Sequence, residues 1–400
     1  MSANKPPFDG EWLKLKGRVE YVRGVTYKAA VDLHEELDRG SYILLRANNI
    51  QDGRLSFDDV QYVDKSKVKP KQLLRKGDIL ICASSGSKSL VGKAARVEND
   101  MPITFGAFCC VLRPKTGESE YLGHYFQSRQ YRKAIERVCS GSNINNLKAA
   151  SFESLIVPLY SKTDMLSVVG VLDALVAQKR ETESQLELLD TLVKSRFVEM
   201  FGNGQSCQII RLGDYCTRIT KGTTPTTAGF AFTDCGINYV KVESINNEGG
   251  FISEKLSHIG EECHNALKRS QLAEGDILFS IAGAIGRTAI VGKDLLPANT
   301  NQALSIIRLD KKAPFNRIFL RHALSSSAIA VITEKLQRGA AQVNLSLKDV
   351  ANLQIPLPSI SLQQEFASFV AEVDKSRFIV QQKIEKLQML YDSLAQEYFG

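Results

Sequence analysis

The feature that most constrains this chain is a repeat of itself at an offset of 198 residues. Gly77-Asp78-Ile79-Leu80 returns as Gly275-Asp276-Ile277-Leu278, and Gly24-Val25-Thr26 returns as Gly222-Thr223-Thr224. Gly141 returns as Gly339, Asn146-Leu147 as Asn344-Leu345, and Pro158 as Pro356. Residues 42–50 match 239–247 with a shift of one. A register held across landmarks this far apart means a duplicated domain with few net insertions. The period is far longer than a solenoid unit, so the chain reads as two whole domains in tandem.

Each copy ends in a long helical pattern. Val168, Leu172, Leu175, Leu186, Leu189 and Val193 mark the first, and Phe366, Val370, Val373, Ile384, Leu387 and Tyr391 the second. Steps of three and four are the a/d seam of a coiled coil. Arg377 takes the place of Lys179, and both runs stop at Phe-Gly, at 201–202 and 399–400. The pattern predicts two helices that pack mainly on each other; helices laid on a globular core are the alternative. Asp164 is the expected cap of the first helix, and Ser361 with Gln364 the expected capping box of the second.

The globular part of each half reads as mixed α/β. Strands are expected at 42–46, 79–83 and 105–112, and at 239–242, 277–281 and 303–309. Helical periodicity runs over 122–139 and 317–336, followed in each half by a glycine and asparagine loop. The expected organisation is a first domain over 1–163, a long helix over 164–202, a second domain over 203–360 and a second long helix over 361–400.

Composition narrows the function classes. No apolar run approaches the length of a membrane span, and the start lacks a signal-peptide core, so a cytoplasmic protein is expected. The eight cysteines form no Cys-x-x-Cys and read as reduced thiols. Net charge is +7, with 30 basic against 25 acidic residues in 1–202 and 21 against 19 in 203–400. That balance permits a polyanionic partner in both halves without requiring one.

Catalytic signs are missing. The stretch 86–94 superficially resembles a phosphate loop, but it has five residues between its glycines and Ala94 where Ser or Thr should hold magnesium. No Asn-Pro-Pro-Tyr or Asp-Pro-Pro-Tyr motif occurs, and the histidines at 34, 124, 258, 264 and 322 show no metal spacing. The loops carry a different signal. Amides pair with adenine edges, cations with guanine, and hydroxyl or backbone donors with phosphate. Candidate DNA-binding residues in the first half are Lys28, Arg46, Asn48, Ser84, Ser85, Ser87, Lys88 and Asn143. In the second half they are Lys221, Thr223, Thr224, Lys241, Arg287, Asn299, Asn301, Gln302, Arg338 and Gln342. The competing reading is glycine-rich turns whose polar groups satisfy their own backbone. Polar loops at matching places in both repeats favour a binding face.

Together these features resemble the DNA-specificity subunits of type I restriction–modification systems, over nearly the whole chain. The resemblance rests on Gly222-Thr223-Thr224-Pro225, Gly275-Asp276-Ile277-Leu278, Asn301-Gln302-Ala303, the run 339–358, and Gln363-Gln364-Glu365. The helix end over 189–202 is similarly typical. The first half departs at Met165-Leu166-Ser167 and at Tyr27, which stands where the second half has Pro225. The resemblance implies two target-recognition domains, each reading half of a split double-stranded DNA sequence, with the long helices antiparallel between them. It implies a non-catalytic chain. S-adenosylmethionine would belong to two methyltransferase subunits, and ATP and magnesium to partner subunits for translocation and cleavage.

A helix of about 36 residues spans roughly 54 Å, or about one and a half turns of duplex. Helix length is therefore expected to set the unread gap between two different half-sites. Two other classes remain open at this point. One is a fragment of a single-chain restriction or methyl-transfer enzyme. The other is a tandem scaffold that binds proteins and not DNA.

Overall fold

The computed structural model describes residues 10–115, 117–140, 146–202, 207–338 and 344–400. Contacts divide the chain into two compact units, one of residues 1–183 with 382–400, the other of residues 184–381. The division cuts through both long helices, so each unit holds part of each.

In the first unit an antiparallel sheet runs in the order Val19–Arg23, Cys109–Pro114, Ile79–Cys82, Ala94–Arg96. A second sheet sets Ile103–Phe105 parallel to Ser41–Leu45, followed by Gln61–Asp64 and Leu33–His34. Glu11–Lys14 pairs with Ile156–Leu159. The second unit repeats this order: Cys216–Lys221, Leu304–Leu309, Ile277–Ser280, Thr288–Ile290. Its other sheet sets Ile237–Val240 between Ser257–Ile259 and parallel Ala298–Thr300, and Gln208–Arg211 pairs with Gln354–Leu357. The duplicated sequence therefore specifies a duplicated topology.

The repeated Gly-Asp has a structural cause. Gly77 and Gly275 have φ of 86° and 81°, a region open to glycine. The aspartates that follow are 1% exposed and are met by paired arginine donors, Arg113 on Asp78 and Arg308 on Asp276. Each also accepts a backbone N–H, from Arg75 or Ala273. A buried carboxylate is tolerated because its lone pairs are filled.

The expected run 105–112 is two strands, Ile103–Phe105 and Cys109–Pro114, with a tight tip between them. The expected helix 122–139 is also broken, into Ser119–Tyr125 and Arg129–Ser140. Ser128 causes the break: its hydroxyl donates to the Tyr125 carbonyl and accepts from Tyr131 N–H. The second half breaks likewise into Arg317–Leu324 and Ser327–Arg338, around Ser325 and Ser326.

The long helices span Lys162–Phe201 and Ile360–Phe399. Both begin earlier than expected. Ser161 is the first cap, its hydroxyl bonded to Asp164, which sits in the first turn. Ser359, and not Ser361, caps the second through Leu362 N–H. Fully buried Gln363 then ties this start to the preceding loop: it accepts from Asn316 N–H and donates to the Pro314 and Pro358 carbonyls.

Seam residues do more than meet each other. Val168, Leu172 and Tyr391 share one hydrophobic cluster with Tyr121, Tyr125 and Phe152 of the first unit; Leu175 packs against it half-buried. Val193, Phe366, Val370 and Val373 share another with Ile277, Phe279 and Phe319 of the second, flanked by Leu189. Leu387 is buried, and Leu186 and Ile384 are half-buried. The helices thus pack on each other along the expected seam and are also built into the domain cores, so the two readings of the seam hold together. Within the first unit they run antiparallel, with Lys179 Nζ donating to Gln388 and the Tyr160 hydroxyl to the Tyr398 carbonyl. In the second unit Arg377 meets Asp190 and Arg196 meets Glu365.

Candidate nucleic-acid interface

In each unit three loops converge at one end of the main sheet. Gly24 donates to the Cys109 carbonyl at 3.3 Å and Val25 to Phe105 at 2.8 Å. Ala83 and Ser84 both donate to the Phe108 carbonyl, at 2.9 and 3.0 Å, and Leu147 donates to Ala83. The second unit repeats the construction. Gly222 donates to Asn301, Thr223 to Thr300, Ile281 to Ala303, and Leu345 to Ile281. A Cβ on Gly24 would strike the Gly106 carbonyl, and one on Gly222 the Thr300 carbonyl. This close approach explains why glycine stands at both positions.

Several candidate residues meet at these junctions. Ser84 bridges to Asn146, and the Ser85 hydroxyl accepts from Ser87 N–H. Lys88 is exposed. In the second unit the Thr224 hydroxyl donates to Gln302 Oε1, Thr223 accepts from Tyr239, and Asn301 accepts from Ala303 N–H. Gln302 is exposed and Lys221 half-buried. Lys28 is exposed beside Asp32, whose carboxyl is held below the usual range by the Lys28 N–H and then by Lys67.

Others stand elsewhere. Asn299 is fully buried, and its amide is spent on His264 and on the Leu267 carbonyl at 3.2 Å. It belongs to the core and is withdrawn from the reading face. Arg287 spends its guanidinium on the Val242 and Ile245 carbonyls, at 3.3 and 3.0 Å, so it braces a loop. Arg46 and Asn48 both converge on Asp59, at 2.9 and 2.8 Å. Lys241 lies over the Phe232 ring with its ammonium 4.7 Å from the centroid, a cation–π contact. Asn143 and Gln342 lie outside the described residues, as does the side chain of Arg338, whose backbone ends the helix Ser327–Arg338.

The loop 84–92 has a clear mechanical role. Arg132 gathers the Lys88, Ser89 and Val91 carbonyls, and Tyr131 takes the Gly92 carbonyl. Its carbonyls, the wrong polarity for a phosphate cradle, face that arginine. Among the described residues no group of three or more His, Cys, Asp or Glu is placed to hold a metal ion. None of their helices is long and apolar enough to cross a membrane.

One functional-looking residue escaped sequence reasoning. Phe108 sits at the tip between Phe105 and Cys109, 71% exposed. Its place in an apolar strand pattern gave no sign of this.

These features define a tandem α/β protein with a polar loop junction at the sheet end of each unit. The family model for the type I restriction modification DNA specificity domain matches residues 11–186 and again 205–389, and the chain belongs to that family. It is 28% identical over 400 aligned residues to the EcoKI specificity subunit of Escherichia coli K12, covering 93% of this chain and 84% of the relative. It is 40% identical over 175 residues to the StySPI specificity subunit of Salmonella potsdam, a match to 43% of this chain and 37% of that one. A chain from a type I R-M system solved for its assembly and conformational transition superposes with a TM-score of 0.56 at 16% identity, over 99% of both chains. The S subunit from M. genitalium gives 0.50 at 13%, again over 99% of both. At those identities the structures speak for the fold alone.

Proposed function

We propose that this chain is the address-reading subunit of a type I restriction–modification complex. Each unit takes one half of a bipartite duplex target through its sheet-end loops. The observation that carries this is the repetition of one loop junction, from Gly24 and from Gly222, in two units that each match a DNA specificity domain. The side chains at the two junctions differ, so the half-sites differ.

The chain supplies address and scaffold and performs no bond-making step. Two modification subunits carry S-adenosylmethionine and methylate adenine. Restriction subunits, with ATP and magnesium, complete the complex, and the assembly works in the cytoplasm. The unbroken long helices offer large exposed apolar side chains such as Leu166, Leu188, Phe378 and Met389, which suit subunit docking. Expression with a modification subunit, followed by mapping of methylated adenines across the host genome, tests the reading. A split motif with an unread gap is expected. A contiguous motif, or no new methylation with the complex assembled, would overturn it.

A further inference from the structure

We propose that Phe108 contacts the C5-methyl group of a thymine in the half-site taken by the first unit, and so fixes that base. This rests on the reading that the sheet-end loops meet duplex DNA. Exposure of an apolar ring is by itself ordinary. What sets Phe108 apart is a rigid seat. Its carbonyl accepts two N–H groups, from Ala83 and Ser84. Ala107 and Phe108 are the exposed tip, while the strand residues on either side, Phe105 and Cys109, are buried at 0% and 2%, and Cys109 N–H closes the tip onto the Gly106 carbonyl at 2.8 Å. The ring is therefore presented by a fixed backbone at the point where the three loops meet.

The second unit places Ala303 at the equivalent position: Ala303, like Phe108, accepts from the loop after the central strand, here Ile281 N–H at 2.8 Å. The polar reader there is the preceding residue, Gln302, on which Thr224 is bonded. The first unit has Ala107 in that place. One scaffold thus carries an amide at one tip and a bare ring at the other. In the major groove the thymine methyl is the apolar group of the base edges, and phenylalanine is a known class of partner for it. The backbone beneath the ring is already fixed, so contact has to order only the side chain itself and no loop. Ser84, whose N–H bonds the Phe108 carbonyl, and Ser85 after it bring hydroxyls to the same junction, and these suit the polar edge or phosphate beside that methyl.

The test uses the chain assembled with its modification subunits and duplexes carrying the mapped target. Each thymine of the half-sites is replaced in turn by deoxyuridine, which lacks the methyl and keeps the pairing edge. One replacement in the first half-site is expected to weaken binding about fourfold, the worth of one buried methyl-sized group. Phe108→Ala is expected to lose sensitivity to that one replacement, and Phe108→Leu to keep part of it. Equal deoxyuridine profiles for the parent and Phe108→Ala overturn the assignment, as does a half-site without thymine on either strand. So does loss of the modification subunit on Phe108→Ala with an unchanged profile, or a jump in 2-aminopurine fluorescence showing the ring wedged between bases. If the assembly binds no duplex at all, the proposed function fails; tight target binding without any deoxyuridine effect removes the Phe108 assignment alone.

Discussion

Arg377 donates to Asp190 across the long helices of the second unit, and the equivalent positions of the two helices, one repeat away, are also in contact in the first. There Lys179 donates to Gln388 at 2.7 Å, and both positions differ from their counterparts by the 198-residue offset. The duplication has kept a polar contact in place while changing its charge. Arg377 and Asp190 are 21% and 22% exposed, so the ion pair is only partly desolvated. A double-mutant cycle with Arg377→Met and Asp190→Asn should give a coupling of up to about 1 kcal/mol in urea unfolding, falling with salt. Zero coupling at low salt would contradict the contact.

Asp276→Asn should cost more. The residue is 1% exposed and holds Arg308, which keeps a third of its side chain in water. A loss of about 3 kcal/mol is expected, the low end for breaking a buried pair from one side. Asp78→Asn, against Arg113, should behave alike in the first unit. Denaturant titration with a domain-resolved probe checks both.

His322 gives the second unit an acid limit. Burial, and then the neighbouring Arg321, hold its imidazole down to about 3, from an ordinary value of 6.5. The unfolded chain takes up this proton near pH 6.5 while the folded one refuses it. The stability it contributes is therefore full above about 6.5 and declines as pH falls towards 3, by up to about 1.4 kcal/mol per pH unit. His322→Gln should flatten the fall in melting temperature between pH 6.5 and 5. An unchanged slope would mean that the imidazole is reached by water.

The loop junction separates two kinds of binding effect. Lys221→Ala should weaken all duplexes alike and lower the salt slope by about one. Gln302→Ala should leave the slope and relax one base position, read as new adenine methylation at sites that differ there. A reversal of these two patterns would exchange the assigned roles.

Both long helices pass without interruption from one unit into the other. Inserting a four-residue turn after Lys179, with the matching insertion after Arg377, should lengthen the unread gap in the methylated motif. An identical gap would separate helix length from target spacing.

Much of the architecture was legible because it is periodic. The copied Gly-Asp strands, the Gly24 and Gly222 turns and the long seams recur as sequence and as structure. What failed was burial. Asn299 reads as a loop amide, yet the parallel pairing with Tyr239 carries it into the core beside His264. Phe108 reads as core, because nothing in an apolar run shows where the chain turns. Arg287 reads as a free cation, and only the fold brings two carbonyls to it. Residue type tells what a side chain can do; the partners that use it up come from distant segments.

The composition of the first compact unit has a consequence for how the protein is made. Its hydrophobic cluster includes Tyr391, Ala395 and Phe399, contributed by residues 382–400. A ribosome working from the amino end releases almost all of that module long before it can close. The second module, a continuous stretch of chain, can mature first, and the earliest-made reader is the last to be finished.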